Sequence, residues 1–264
     1  MDDAGTDERA SATPVRTEVR LLWAPDAAAA ALARARRLLD PHETARADRY
    51  QDERARRLYV TAHVGLRLLL AAHTGIPPED LRFTREPCPG CGGPHGRPTL
   101  DGVPGPHFSL SHAEDAVLYA LASAPVGVDI ESARIAAGGD AVLRRRTSRL
   151  HPEEQRALAV LPPSRRSTAL LGCWVRKEAY GKGLGTGLAG DTTSHPVGLA
   201  ADDRPRPVAP PPGWTLVDVP APSGYRAAVA VRTPESTGVG LDLGRLHLDP
   251  TGPAAVTTDR TSPR

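Results

Sequence analysis

The 264-residue chain sets 33 lysines and arginines against 31 acidic residues. A net charge of +2 supplies no overall pull toward nucleic acid or a membrane surface, so any basic patch must be local. The apolar runs, such as Ala27 to Leu32 and Leu68 to Ala72, are far too short to cross a bilayer, the acidic start Met1-Asp2-Asp3 is unlike a signal peptide, and three cysteines argue against a disulfide framework; these features predict a cytoplasmic protein.

In chain order, residues 1–15 are small and polar and read as a disordered tail. Ala27 to Leu39 has the composition of a helix that Pro41 ends or interrupts. A longer helix is expected from Ala47 to Thr74, with Leu58, Ala62, Leu66, Leu69 and Leu70 on its apolar stripe, Arg57 and Arg67 off it, and Gly75 before Pro77-Pro78 as its stop. Glu86 to Gly105, dense in Pro, Gly and Cys, reads as loop. Phe108 to Ser111, Ala116 to Ala122 and Val126 to Ile130 read as strands, and Ala124-Pro125 as a tight connection between two neighbours. His151-Pro152-Glu153-Glu154 starts a helix and Ser164 to Lys182 forms another. Trp214 to Val219 and Tyr225 to Val231 close the folded part as strands joined at Gly224. From Thr233 the chain has little to bury and reads as a second disordered tail. The order predicts an α+β fold of two similar halves, 16–125 and 126–232.

Two stretches place acids where a divalent cation would be held. On a strand, Asp129 and Glu131 share a face while Val128 and Ile130 enter a core. On a helix, Glu178 and Lys182 at i and i+4 share another. Hard oxygen donors of this kind suit magnesium or manganese together with substrate phosphates. Taken singly, the first pair is equally a solvated strand face and the second a surface ion pair.

The ordered set Phe108-Ser109-Leu110-Ser111-His112, Val126-Gly127-Val128-Asp129-Ile130-Glu131, Trp174-x-x-Lys177-Glu178-Ala179-x-x-Lys182, the run Gly183 to Leu188, and Gly224 to Val231 resembles the 4'-phosphopantetheinyl transferases of the surfactin-synthetase-activating type. The resemblance implies a pseudo-dimer of two α+β halves, coenzyme A in the cleft between them, and a magnesium ion there, with manganese as the alternative. It also implies a reaction, transfer of the phosphopantetheine arm of coenzyme A to a serine of an apo acyl- or peptidyl-carrier protein of fatty acid, polyketide or nonribosomal peptide synthesis, with release of adenosine 3',5'-bisphosphate. On that reading Asp129, Glu131 and Glu178 are metal ligands. Glu178 doubles as the candidate base for the serine, directly or through a water, Lys182 neutralises diphosphate charge, and His112 donates to a phosphate oxygen beside Ser111. Lys177 joins the coenzyme contacts. So do Arg97 and Pro98, because Gly96-Arg97-Pro98 is similar to the family's Gly-Lys-Pro element, with arginine for lysine. Arg46 and Arg57 lie where the family places phosphate-binding bases, and their alternative is a salt-bridged helix face with Glu43, Asp48, Asp52 and Glu53. Since the two halves make the interface internal, a monomer is expected.

The segment Cys88-Pro89-Gly90-Cys91-Gly92-Gly93-Pro94-His95 departs from the simplest family pattern. Its C-x-x-C with a nearby histidine has the spacing of a zinc knuckle, but one C-x-x-C lacks its partner pair, and a Gly/Pro-rich loop holding two thiols is the reading preferred over a structural zinc. Three rival functions use parts of the same sequence. A magnesium-dependent phosphodiesterase explains the carboxylates alone, a nucleic-acid module would rest on the arginines of 34–57 and 144–149 against a balanced net charge, and a non-catalytic carrier-binding scaffold leaves the catalytic residues without a purpose.

Overall fold

The computed structural model describes residues 13–136, 139–186, 194–199, 211–234, 237–249 and 256–260; the predicted N-terminal tail, apart from Thr13, Pro14 and Val15, and residues 187 and 188 of the glycine run lie outside them. The order is β1 (Val15–Trp23), α1 (Ala24–Leu38), α2 (Pro41–Ala47), α3 (Glu53–Thr74), β2 (Phe83–Arg85), β3 (Pro98–Leu100), β4 (His107–Ala113), β5 (Ala116–Ala122), β6 (Val126–Ser132), α4 (Ala133–Ala136), α5 (Gly139–Thr147), α6 (Pro152–Ala159), α7 (Pro163–Leu184), β7 (Trp214–Val219), β8 (Tyr225–Arg232), β9 (Val239–Leu248) and β10 (Val256–Arg260). This is the mixed α+β architecture expected. No helix among the described residues is long and apolar enough to cross a membrane.

Three sheets form: β10-β9-β1-β5-β4, the ribbon β2-β3, and β6-β8-β7. β5, Ala116 to Ala122, is buried at every position, because its alternate side chains serve two cores. Val117, Tyr119 and Leu121 enter a core with α1 and α3. Ala116, Leu118, Ala120 and Ala122 enter another with Val126, Val128 and Ile130 of β6 and Val229 and Val231 of β8.

Each large sheet carries one 22-residue helix, and glycine sets both contacts. On α3, a methyl at Gly65 would collide with the Tyr119 hydroxyl, which donates to the Ala62 carbonyl at 3.1 Å. On α7 the approach is closer, since a methyl at Gly127 of β6 would collide with the Ala179 carbonyl oxygen and the Gly183 nitrogen, and one at Gly183 would meet the Trp214 ring. Both helices end on a left-handed glycine, Gly75 at φ 74° and Gly185 at φ 85°, the backbone region where a side chain is costly.

Four expectations are corrected. Pro41 does not merely follow the end of α1, which stops at Leu38, but begins α2 at its first position, with Asp40 and Glu43 forming a reciprocal capping box, as a proline without an N–H permits there. The long helix is α3 and begins at Glu53 rather than Ala47, with Asp52 capping it through the Arg54 N–H. β5 and β6 lie in different sheets despite their short connection. Finally, the stretch after Thr233, expected to be a tail, supplies β9, which pairs in parallel with β1 from Val15↔Val239 to Leu21↔Arg245 and buries Leu246 and Leu248. β1 itself had no counterpart among the predicted strands.

Candidate active site

The site is assembled where β4, the edge of the large sheet, runs beside β6, the edge of the small one. No ladder joins them. Instead two serines of β4 stand in for a neighbouring strand, with Ser109 Oγ accepting from the Val128 N–H at 3.1 Å and Ser111 Oγ from the Ile130 N–H at 3.4 Å. Unpaired edge donors are thereby satisfied without closing the sheet, and the carboxylate between them, Asp129, is fixed in place. Ser111 Oγ also donates to Asp129 Oδ1 at 2.8 Å.

Glycine contact brings α7 to this edge. With Gly127 and Gly183 touching through backbone, Lys182 Nζ reaches Asp129 Oδ1 at 2.7 Å and Ser111 Oγ at 2.9 Å. Asp129 is only 5% exposed, and its second oxygen, Oδ2, is buried with no hydrogen-bond partner. An ionised carboxylate oxygen without water or donor is costly. Two more acids surround it. Burial, then the nearby Asp129 charge, pushes the Glu178 carboxyl up to about 7; burial, then Asp129, also raises Glu131. Glu131 is held by Arg146 at 3.2 Å, whose guanidinium stacks on Trp174. Among the described residues, no hydrogen bond or ion pair engages Glu178.

The buried Asp129 oxygen without a partner, and two carboxyls raised first by burial and then by the Asp129 charge, form a set of hard oxygen donors. Asp129, Glu131 and Glu178 therefore fit a divalent ion of the magnesium class. They are electrostatic neighbours rather than a closed cage, for among the described residues the ligand atoms gathered within 4.8 Å of one another are those of Cys88, Cys91 and His95.

Beside the carboxylates opens a cavity of about 610 Å³, a size suited to a cofactor-sized ligand. Arg46, Arg97, Pro98, His112 and Lys182 line it, with Tyr59 and Phe83 among its aromatic surfaces. His112 is reachable by water yet ringed by protein, and desolvation, then the neighbouring His63, Lys182 and Arg46, pushes its imidazole down to about 4. It is therefore neutral near pH 7. Arg97 is anchored by Glu86 and by the Gly183 carbonyl at 2.8 Å, which joins the β2–β3 loop to the end of α7. A side chain at Gly185 would press on Arg97.

Three expected coenzyme contacts do not line the cavity, the first being Ser111, which is buried behind Lys182. Lys177 is 2% exposed and forms a buried ion pair with Glu154 at 2.8 Å. One residue is about 100° of helix, so with Glu178 on the side of Asp129, Lys177 turns toward α6. Arg57 pairs with Glu53 one turn back at 2.9 Å, on a face 57% exposed, and does not line the cavity. That is the salt-bridged alternative.

Other residues were missed. Arg67, placed off the apolar stripe, is fully buried and binds Asp40 at 3.0 Å and Glu43 at 2.7 Å. Glu43 also meets His63 at 3.0 Å. Burial alone would raise the Glu43 carboxyl, but hydrogen bonds from His63 and Arg67 outweigh it and hold the pKa low. The network fixes the cavity wall that carries Arg46. Its visible signal was the Asp40-Pro41-x-Glu43 capping pattern, and that of Ser109 was its two-residue spacing from Ser111 in an otherwise apolar strand.

Residues 125–230, which contain β6, α7 and β8, match the 4'-phosphopantetheinyl transferase superfamily. That segment carries a domain of the 4'-phosphopantetheinyl transferase superfamily. It is 27% identical over 197 residues to the 4'-phosphopantetheinyl transferase HetI of Nostoc sp., covering 73% of this chain and 78% of that protein. It is 30% identical to the putative 4'-phosphopantetheinyl transferase slr0495 of Synechocystis sp., over 58% of this chain and 59% of the relative. To the transferase psf-1 of Bacillus pumilus it is 30% identical, over 49% and 50% respectively. The chain thus spans between half and four-fifths of these relatives' lengths. Both the family and the enzyme class implied by the sequence motifs are those of the phosphopantetheinyl transferases.

Proposed function

We propose that the protein transfers the 4'-phosphopantetheine arm of coenzyme A to a serine hydroxyl of an apo acyl- or peptidyl-carrier protein, with the reaction placed where Asp129, Glu131 and Glu178 meet the cavity. The observation that carries this reading is the buried, partnerless Asp129 Oδ2 beside a glutamate whose carboxyl is lifted to about 7, at the rim of a cavity lined by Arg46, Arg97 and Lys182. Asp129, Glu131 and Glu178 would hold a magnesium ion, with manganese the next best fit, and such an ion when bound neutralises charge on the diphosphate. The chain's own residues do the rest. Glu178, with a pKa near neutrality, accepts the serine proton as the serine oxygen bonds to the β-phosphorus. The bond from that phosphorus to the bridging oxygen breaks, and adenosine 3',5'-bisphosphate leaves with the electron pair. Lys182, one turn from Glu178, places its ammonium against the leaving phosphate. His112, kept neutral, donates an N–H to a phosphate oxygen. Arg46 and Arg97 supply positive charge for the coenzyme's phosphates, with Pro98 on the same wall and the buried Ser111 positioning Lys182.

The two-half organisation belongs to this proposal. What supports it is that each large sheet carries a 22-residue helix ending on a left-handed glycine, with the boundary near Pro125. The C-terminal strand β9 returns to the N-terminal sheet, so the halves are not divided strictly along the chain. We expect a cytoplasmic monomer.

The test is the intact mass of a purified apo carrier protein incubated with this protein and coenzyme A, with and without magnesium. A metal-dependent gain of one phosphopantetheine arm is the expected result. No gain on fatty acid, polyketide and nonribosomal peptide carriers overturns the proposal, and magnesium-dependent cleavage of a generic phosphodiester in its place supports the phosphodiesterase instead.

A further inference from the structure

We infer that Cys88, Cys91 and His95 bind one zinc ion that ties off the loop between β2 and β3. The inference rests on this loop alone and stands whatever reaction the carboxylates perform. Lone C-x-x-C spacing argued against a metal, and the fold supplies what the spacing lacked, a third donor at the right place. The two thiols and the imidazole lie within 4.8 Å of one another, with Cys91 Sγ 3.0 Å from His95 Nε2. Tetrahedral zinc with Zn–S of about 2.3 Å and Zn–N of about 2.0–2.1 Å sets its donor atoms roughly 3.5–4 Å apart, so the present spacing needs only small side-chain adjustments.

The backbone is shaped for the same purpose. The turn closes through Gly92 N–H to the Cys88 carbonyl and Cys88 N–H to the Gly93 carbonyl, both 2.7 Å. Gly92 sits at φ 73°, where a side chain would be strained. A methyl at Gly93 would lie 3.1 Å from the His95 ring and 3.4 Å from Cys91 Sγ, intruding between two of the donors. All three cysteines are free thiols.

The loop also has little apolar packing of its own. From Pro87 to His95, Cys88 is the one buried residue, so no apolar core holds the segment. A metal supplies that restraint. Two thiolates and an imidazole suit zinc rather than magnesium or calcium, and since Cys91 and His95 face solvent, the fourth position is open to water. His95 lies two residues before Arg97, so the ion would hold the end of β2–β3 that forms the cavity wall.

The experiment uses the full-length chain, untagged and purified without chelator from zinc-supplemented cells. Elemental analysis should find about one zinc per chain, falling by at least five-fold in Cys91→Ser and in His95→Ala while circular dichroism shows helix content unchanged. Metal-stripped wild-type protein titrated with cobalt should develop thiolate-to-cobalt charge-transfer absorption and the visible bands of a tetrahedral ion, saturating at one equivalent. Wild-type protein that is zinc-free as purified and gives no such spectrum overturns the inference, as does undiminished zinc in both variants, which would place the ion elsewhere, for example on the carboxylates. Because the cobalt titration needs only wild-type protein, misfolding of a variant does not blunt the test.

Discussion

The two long helices have equal length and similar left-handed caps, yet they are used differently. α3 meets its sheet through one glycine against a tyrosine side chain, and the charges around it are locked among themselves, as in Arg67 with Asp40 and Glu43. α7 meets its sheet backbone to backbone, through Gly127 and Gly183, and leaves charge unbalanced: Asp129 Oδ2 without a partner and Glu178 lifted to about 7. A protein interior tolerates such imbalance where something else is to bind. The α3 side builds a wall, and the α7 side gathers the unbalanced acids.

The largest effect should come from removing that imbalance. Asp129→Ala and Glu178→Gln should each lower the transfer rate by at least about 10²-fold; Glu178→Gln, with no ion pair to lose among the described residues, should unfold no lower than wild type, whereas Asp129→Ala also takes the acceptor away from Lys182 and Ser111 and should unfold lower. Retention of more than half the activity in either variant would remove the α7 edge as the reacting centre.

Next in size is the helix approach. Gly127→Ala has to push α7 away from β6, separating Lys182 from Asp129, and should cost about 1–3 kcal/mol of stability together with most of kcat. Gly65→Ala has to displace only the Tyr119 ring, and should cost comparable stability while leaving kcat within about two-fold at a temperature where both fold. Denaturant melts paired with steady-state rates on the two variants separate the roles. Equal losses of kcat would mean that both helices position reacting groups.

A smaller but distinctive effect is expected in pH dependence. Glu178 in the folded protein holds its proton up to about 7 against an ordinary value of 4.5, so the native state binds more protons than the unfolded chain across that window. Stability should then fall as pH rises from 4.5 to 7 and flatten above it. Magnesium competes for the same carboxylate, so its stabilising effect should be absent near the bottom of the window and full above the top. Thermal melts across pH, with and without magnesium, should show the two curves diverging as pH rises, and Glu178→Gln should remove most of the divergence. Curves that stay parallel in wild type would show that the ion, if bound, does not engage Glu178.

Sequence pattern alone revealed much of this difference between the helices, and the reasons are physical. Asp129, Glu131, Glu178 and Lys182 were readable because strand and helix periods fix which residues share a face, and β6 and α7 are regular. Lys177 was misplaced because adjacency in sequence does not survive a 100° turn of helix; the buried Glu154 that claims it comes from α6 and leaves no mark near position 177. Arg67 was misread because a polar residue on a helix is normally solvated, and its partners lie in a cap 24 and 27 residues away. β1 and β9 escaped because Val15 to Trp23 mixes charged residues among apolar ones and Val239 to Leu248 pairs across some two hundred residues, information carried by no local window. The split between Gly/Pro loop and metal loop at Cys88 to His95 was likewise invisible, since spacing does not say whether His95 folds back onto Cys91.

The finest discrimination lies between two arginines on the α3 side that sequence treated alike. Arg46 lines the cavity with its guanidinium 5.7 Å above the Tyr59 ring, while Arg57 is tied to Glu53 in solvent. A cation facing the cavity adds affinity for an anionic ligand, whereas an exposed i,i+4 pair adds at most about 0.5 kcal/mol to the helix. Arg46→Ala should therefore raise KM for coenzyme A about ten-fold with little change in kcat, the pattern of a lost binding contact, and Arg57→Ala should leave both within about two-fold. If instead Arg57→Ala raises KM and Arg46→Ala does not, the coenzyme lies along the outer face of α3 rather than in the cavity, and the wall assigned to this half would have to be moved one helical face outward.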